Sequence, residues 1–318
     1  MIKFLKKLSK KLKLEAKAFD KIAAQKRKIK FNPDLRSKKI NTYFYNNPWR
    51  YPLTRKLTIR KKVDFVLNNC QKKQKVIDVG CGLGTLSLEL ARKGVYVEAI
   101  DISNKSLNYA KYYAKKSLKK NELLKINFKK TLIENYIKEI ENETIDRFVF
   151  FRTLHHLPNS EILFKKIKKK LKKSGKIIIV EPFRSSISYT SGLIAYLVRQ
   201  LAKTWISYDK KLKLKNTSDI KKGILNILKE YKYILDKKGY DQSPMDNVTS
   251  NPDQVILNLK KFFVIEKIET EDSFKDKIIG GIRGKNSDQI IKFIDLFDEF
   301  LIQNKIIKGT TYKIVAKK

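Results

Sequence analysis

Apolar positions in the first thirty residues recur at helical spacing. Ile2, Leu5, Leu8 and Leu12 share one face, and lysines fill the others. The pattern predicts a basic amphipathic helix, suited either to an anionic lipid surface or to the chain's own domain. Next comes NPDLRSKKINTYFYNNPWRYPLTRK, which reads as an irregular segment with Tyr43, Tyr45, Trp49 and Tyr51 turned toward a core. From residue 61 the rhythm is regular: a helix over 61–69, a buried strand over 75–79, a helix over 84–93 and a strand ending at Asp101. A helix from Ser103, a strand near 125–130, a helix around 133–141 and a strand over 146–151 continue it. SEILFKKIKKKLKK then predicts a helix that passes through Ser174 and Gly175 into a fifth strand, KIIIVEP. Strands alternating with helices at this spacing predict a parallel sheet covered on both faces.

After Pro182 the alternation stops, and 185–260 reads as a helical insertion. There Leu193, Leu197, Leu201 and Trp205 fall four apart, a face expected to pack. KFFVIEKIETED, the helix DQIIKFIDLFDEFLIQ and the strand TYKIVAKK close the chain, enough to complete the sheet with an antiparallel pair. The chain therefore divides into 1–60 (basic helix and aromatic segment), 61–184 (α/β core), 185–260 (insertion over the acceptor side) and 261–318 (closing strands and helix), within one main domain.

Charge changes this picture little. The formal net charge is +40, which would suit nucleic acid. Lysine, however, is spread along the whole chain and arginine, the bidentate reader of phosphates and bases, is scarce. A compositional bias accounts for the charge better than a nucleic-acid partner does. Cys70 and Cys81 stand eleven apart without CxxC spacing, so plain thiols are expected, with no metal site and no disulfide framework. No apolar run approaches the roughly 18–20 residues that span a bilayer. The expected location is the cytoplasm, with residues 1–14 offering peripheral contact at the inner face of the membrane.

The chemistry is concentrated in VIDVGCGLGT, residues 76–85. A chain turning sharply from strand into helix needs glycines, and three bare positions let a ligand lie on the backbone. The helix behind them offers unpaired N–H groups to a nucleotide-bearing ligand. A dinucleotide turn, G-x-G-x-x-G, would place its third glycine at position 85, where Thr85 stands. Asp101, seventeen residues beyond Gly84 at a strand end, is placed to accept both hydroxyls of a ribose.

Four stretches in order, VIDVGCGLGT, VEAIDIS, DRFVFFRTLHHLP and LKKSGKIIIVEP, resemble the class I S-adenosylmethionine-dependent methyltransferases over roughly residues 60–184. The resemblance implies a Rossmann-like fold, a mostly parallel seven-stranded sheet whose last strand is antiparallel, and S-adenosyl-L-methionine as cofactor. It implies that Gly80, Cys81, Gly82 and Gly84 form the turn under the methionine part of the cofactor, with Asp78 holding that end. Asp101 would bind the ribose and Ile102 would pack on adenine, while Phe151 and Arg152 would line the methionine side. The family often has an acid after the third strand, but Leu132 aligns there, so adenine would be held by apolar packing or, in a shifted register, by Glu134.

If the acceptor is a hydroxyl, a positioned base assists proton removal. The chain has only two histidines, His155 and His156, both in the loop after the fourth strand, and His156 is the preferred base. Glu181, at the end of the fifth strand, is a further candidate base or orienting group. The leading expectation is O-methylation of a small or lipid-linked acceptor, a sugar of a surface glycan before a quinone ring. An RNA or protein methyltransferase and a non-catalytic cofactor-binding protein of the same fold are the alternatives.

Overall fold

The computed structural model describes residues 2–38, 46–204, 214–232, 245, 249 and 251–318, with side chains from residue 11 onward. Seven strands, β1 (Lys75–Val79), β2 (Tyr96–Asp101), β3 (Ile126–Lys130), β4 (Ile145–Phe151), β5 (Leu171–Pro182), β6 (Val264–Glu271) and β7 (Thr311–Lys317), form one sheet in the order β3-β2-β1-β4-β5-β7-β6. The β1–β2, β2–β3, β1–β4 and β4–β5 pairs are parallel, and β7 runs antiparallel to both β5 and β6. This is the mostly parallel, seven-stranded Rossmann-like architecture expected from the sequence.

Helices α1 (Ile2–Lys28), α2 (Pro52–Arg55), α3 (Lys61–Asn68), α4 (Thr85–Arg92), α5 (Asn104–Ser117), α6 (Lys120–Leu123), α7 (Ile133–Glu139), α8 (Ser160–Lys170), α9 (Tyr189–Leu201), α10 (Thr217–Lys232), α11 (Pro252–Lys260) and α12 (Ser287–Gln303) surround it. Alternation along each strand sends side chains to two apolar layers. Ile77, Phe148, Phe150, Ile177 and Ile179 meet α7, α8 and α11, whereas Val76, Val149, Ile178 and Val180 meet α3, α4 and α5. Asp78 shares the parity of Val76, so a carboxyl is carried into an apolar layer at the strand's end.

Three local expectations change. Helical backbone begins at Pro52 rather than 61, because Pro52 occupies a first-turn position where its missing N–H costs nothing. The fifth strand begins at Leu171, not after Gly175: buried Leu171 pairs with Ile145, and residues 172–175 bulge out before pairing resumes at Arg147 and Lys176. The four-spaced leucines of α9 do not pack, being 43%, 54% and 69% exposed at Leu193, Leu197 and Leu201. Gly192, Ala195 and Tyr196 form the buried face instead, because Gly192 and Gly223 let α9 and α10 approach closely, against Leu228 and Tyr196 respectively. Trp205, Tyr43 and Tyr45 lie outside the described residues, as do the side chains of Ile2, Leu5 and Leu8. Trp49 and Tyr51 are half-buried; Trp49 meets Phe31 edge-on at 4.9 Å, and the Tyr51 hydroxyl donates to Asp288 at 3.0 Å.

The N-terminal helix packs on its own domain. Asp20 Oδ1 accepts from the Ser103 hydroxyl at 2.7 Å and the Lys105 N–H at 2.9 Å, at the start of α5, where a helix favours negative charge. Tyr109 donates to the Phe31 carbonyl at 2.5 Å, and Arg92 grips Asp34 through two bonds of 2.8 and 2.6 Å. Among the described residues no helix is long and apolar enough to cross a membrane. Asp20→Ala is expected to lower unfolding free energy by about 1–2 kcal/mol, the cost of losing a capping acceptor. It should also speed amide exchange in residues 12–28; unchanged exchange would show that other contacts hold α1.

Candidate active site

At the end of β1 the Gly80 and Cys81 N–H groups both donate to the Ile100 carbonyl, at 2.8 and 3.0 Å, which ties the turn to β2. Gly80, Gly82 and Gly84 have φ of 69°, 53° and 83°, the left-handed region that favours glycine. Their surroundings differ. A Cβ on Gly80 would lie 2.3 Å from Thr153 Cγ2, so Gly80 seats the loop after β4. A Cβ on Gly84 would lie 3.0 Å from Ala110, so Gly84 sets the approach of α4 to α5. Gly82 meets nothing within 4 Å and presents bare backbone to open space.

That space is a cavity of about 370 Å³. It gathers Asp78, Gly80, Cys81, Gly82, Asp101, Ile102, Leu132, Phe151, Arg152, His155 and His156 from across the sequence. Gly84 and Glu181, which the sequence also suggested, are not among its lining residues, nor is Glu134. Asp101 Oδ2 accepts from the Gly82 N–H at 2.8 Å and Oδ1 from the Ser103 N–H at 2.7 Å; burial still raises its carboxyl above the usual range. Asp78 accepts the Ser87 hydroxyl at 2.5 Å, and burial pushes its carboxyl up to about 7. Both thiols are free; burial pushes Cys70 up to about 12, and burial with Asp101 and Asp78 raises Cys81 well above the usual thiol range.

The histidine loop is held from behind. Glu181 is fully buried; its Oε1 accepts the Thr153 N–H and, at 2.6 Å, the Leu154 N–H, while Oε2 lies 2.6 Å from His155 Nδ1. Glu181 therefore does not face the cleft as a base, and it engages His155 at Nδ1. The pair shapes the loop instead, because its carboxylate is saturated by groups of that loop.

His156 has a partner the sequence did not suggest. Glu15 of α1 is 1% exposed; its Oε1 lies 2.9 Å from His156 Nδ1 and its Oε2 accepts the Met245 N–H at 3.1 Å. Phe19 meets the His156 ring edge-on at 5.4 Å. Leu12, Glu15, Phe19 and Lys26 all line the cavity. They continue the stripe begun by Ile2, Leu5 and Leu8, which was the available signal: the apolar face of α1, extended past Leu12, runs through an acid that an amphipathic reading skips. Trp49, read from the sequence as a core residue, also lines the cavity, as do Thr153 and Arg184, which were not singled out.

Bare backbone at Gly82, a carboxyl at the end of β2 and apolar walls at Ile102, Leu132 and Phe151 fit a nucleoside with a short charged tail. Residues 70–239, more than half of the chain, match the family described as Methyltransferase domain. The chain belongs to the class I S-adenosylmethionine-dependent methyltransferases. S-adenosylmethionine is the cofactor of this methyltransferase. It is 32% identical over 158 residues to a ubiquinone biosynthesis O-methyltransferase of Rickettsia typhi, covering 49% of this chain and 60% of that protein. It is 27% identical over 215 residues to the protein of the same name from Pelagibacter ubique, covering 66% and 82%. The match thus spans less than two thirds of the Rickettsia typhi protein's length. A SAM-dependent methyltransferase structure from Archaeoglobus fulgidus aligns with 82% of this chain and 93% of its own at 18% identity and a TM-score of 0.46, which carries no weight for the acceptor.

Asp78 is expected to give the methyltransferase a pH signature, if it meets the cofactor's ammonium as the resemblance implies. A cofactor ammonium favours the ionised carboxyl, whereas burial has raised its pKa to about 7. Below that pH the proton must leave before the charges pair, so S-adenosylmethionine should bind more weakly from pH 7 to pH 5, by up to about tenfold per pH unit. Calorimetry across this range should show the slope in the native chain and its loss in Asp78→Asn; an equal slope in both would remove Asp78 from the site.

Proposed function

We propose that this methyltransferase methylates a hydroxyl of a quinone-type ring, with His156 as the base that takes the hydroxyl proton. The observation that supports the reading is the Glu15–His156 pair, an imidazole beside a buried carboxylate with both residues lining the cavity. The names of the relatives favour a quinone-type acceptor over the glycan sugar expected from the sequence. Chain length and insertions say little about an acceptor, because function resides in the site, not in the scaffold.

When bound, S-adenosylmethionine supplies an electrophilic methyl group whose bond to sulfur breaks as the bond to the acceptor oxygen forms. The protein's part is orientation, because alignment of the reacting atoms supplies much of the acceleration. Gly82 and Asp101 hold the donor side of the cavity. His156, whose Nδ1 lies 2.9 Å from Glu15 Oε1, receives the acceptor's proton on Nε2. Phe19, Phe31 and Trp49, contributed by residues before the sheet, cover the cavity with apolar surface suited to a ring.

His156→Gln should lower kcat by about 10²–10⁴-fold, the usual range for a general base, with cofactor affinity retained. Glu15→Gln should give a smaller loss. The assay is transfer of labelled methyl to a hydroxylated quinol lipid, run beside glycan, RNA and protein fractions of the same extract. Label entering glycan, RNA or protein in place of quinol would overturn the acceptor, and an undiminished His156→Gln enzyme would overturn the base.

A further inference from the structure

An ordinary surface helix turns its apolar residues inward and its charges outward. α12 partly reverses this. Its buried face carries Asp295 and Asp298 beside Ile291, Ile294 and Leu301, while Phe293, Leu296 and Phe300 are 64%, 65% and 54% exposed. The three exposed residues fall at i, i+3 and i+7 and so form one stripe. Phe297 widens it by stacking on Phe293, with ring centroids 5.6 Å apart and planes 11° from parallel.

The helix is not free to roll and bury this stripe. Asp298 accepts the Ser273 N–H at 3.1 Å and the Phe274 N–H at 2.8 Å, and Asp295 accepts the ammonium groups of Lys61 at 2.8 Å and Lys275 at 2.5 Å. Rotation would strip two buried acids of these partners. The stripe is therefore held outward by the inner face of its own helix. A contiguous apolar surface of this kind marks a contact site.

The charges around the stripe indicate its occupant. In a chain of net charge +40, α12 holds one lysine against four acids, so two copies of the chain can meet here with little repulsion. The exposed charges are also placed for self-pairing. Lys292 and Glu299 lie two turns apart on one flank of the stripe. A two-fold axis between them runs two such helices antiparallel, keeps that flank on the same side, and sets each Lys292 against Glu299 of the partner subunit. Phe293 then meets Phe300 of the partner subunit, and Leu296 lies near the axis.

We propose that the chain forms a homodimer through its α12 helices, packed antiparallel about a two-fold axis. The inference is independent of the acceptor and of the base. A single helix crossing is small beside the roughly 1,200–2,000 Å² buried in stable complexes, so dissociation in the micromolar range is expected.

The test is sedimentation equilibrium of the full chain, with S-adenosylmethionine affinity measured beside it to show that each variant folds. The native chain should pass from monomer to dimer with a Kd of about 1–100 µM. Leu296→Lys, at a position already exposed, should weaken dimerisation at least about tenfold. Lys292→Glu and Glu299→Lys should each weaken it by about tenfold, because each sets like charges together at both symmetry-related contacts. Glu299 lies 3.8 Å from Lys61 of its own chain, but Asp295 already holds that ammonium, so the reversal spares the fold. The double variant Lys292→Glu with Glu299→Lys should restore the native Kd to within about threefold. A chain that stays monomeric up to about 200 µM, or a dimer indifferent to Leu296→Lys, overturns the interface. A double variant no tighter than the single ones overturns the two-fold pairing. Sedimentation of a monomeric chain with phosphatidylcholine vesicles, abolished by Leu296→Lys, would assign the stripe to lipid instead.

Discussion

The geometry of the histidine loop depends on one buried carboxylate. Glu181 lies at the end of β5 with no exposed surface, and its oxygens are taken by the Thr153 and Leu154 N–H groups and His155 Nδ1. A buried charge so saturated is tolerated, whereas removing one partner from such a set typically costs about 3–5 kcal/mol. The loop from 152 to 156 therefore has one low-energy shape. That shape brings Thr153 against Gly80, turns Arg152 into the left-handed region and sets the His156 ring 4.0 Å from His155. The glycine turn and the histidine loop are thus keyed to each other by a glycine that a methyl group would disrupt.

The second constraint comes from outside the sheet. α1 is anchored at Asp20 on the start of α5 and at Glu15 on His156 and Met245, so a segment remote in sequence supplies part of the cavity wall. Its lysines remain outside, as at Lys11, Lys13 and Lys17, while Lys26 is half-buried. The helix thus keeps its basic face outward while its inner face lines the cavity.

The sheet and the donor turn were legible because period-two alternation, buried runs and glycine spacing are local signals. β1 was placed residue for residue, and Asp101 fell at the end of β2. The acceptor side was harder for a physical reason: its parts are joined by long-range contacts with no local signature. Glu181 read as a cleft residue because topology puts the end of β5 at the cavity, yet its burial depends on three groups 26–28 residues earlier. Glu15 was invisible because its partner is His156, far along the chain, and a single acid on an apolar stripe looks like an interruption. The α9 leucines misled for the opposite reason: their spacing is regular, but small residues on the other face allow closer packing, and close packing decided the orientation.

Two glutamate–histidine pairs now stand side by side, and their difference in setting separates their roles. In His155–Glu181 every carboxylate oxygen is consumed by the loop and the acid lies behind the cavity wall, so the pair can only fix shape. In His156–Glu15 both members line the cavity, and the acid arrives on a helix whose placement depends on other contacts. The same chemical pair lies behind the cavity wall where both partners come from the ends of β4 and β5, and within the wall where one partner is brought in by α1. Importing the acid has a consequence for specificity. Any rearrangement of α1 would move Glu15, Phe19 and Lys26 together, so the carboxylate beside His156 and part of the cavity wall depend on the placement of one helix.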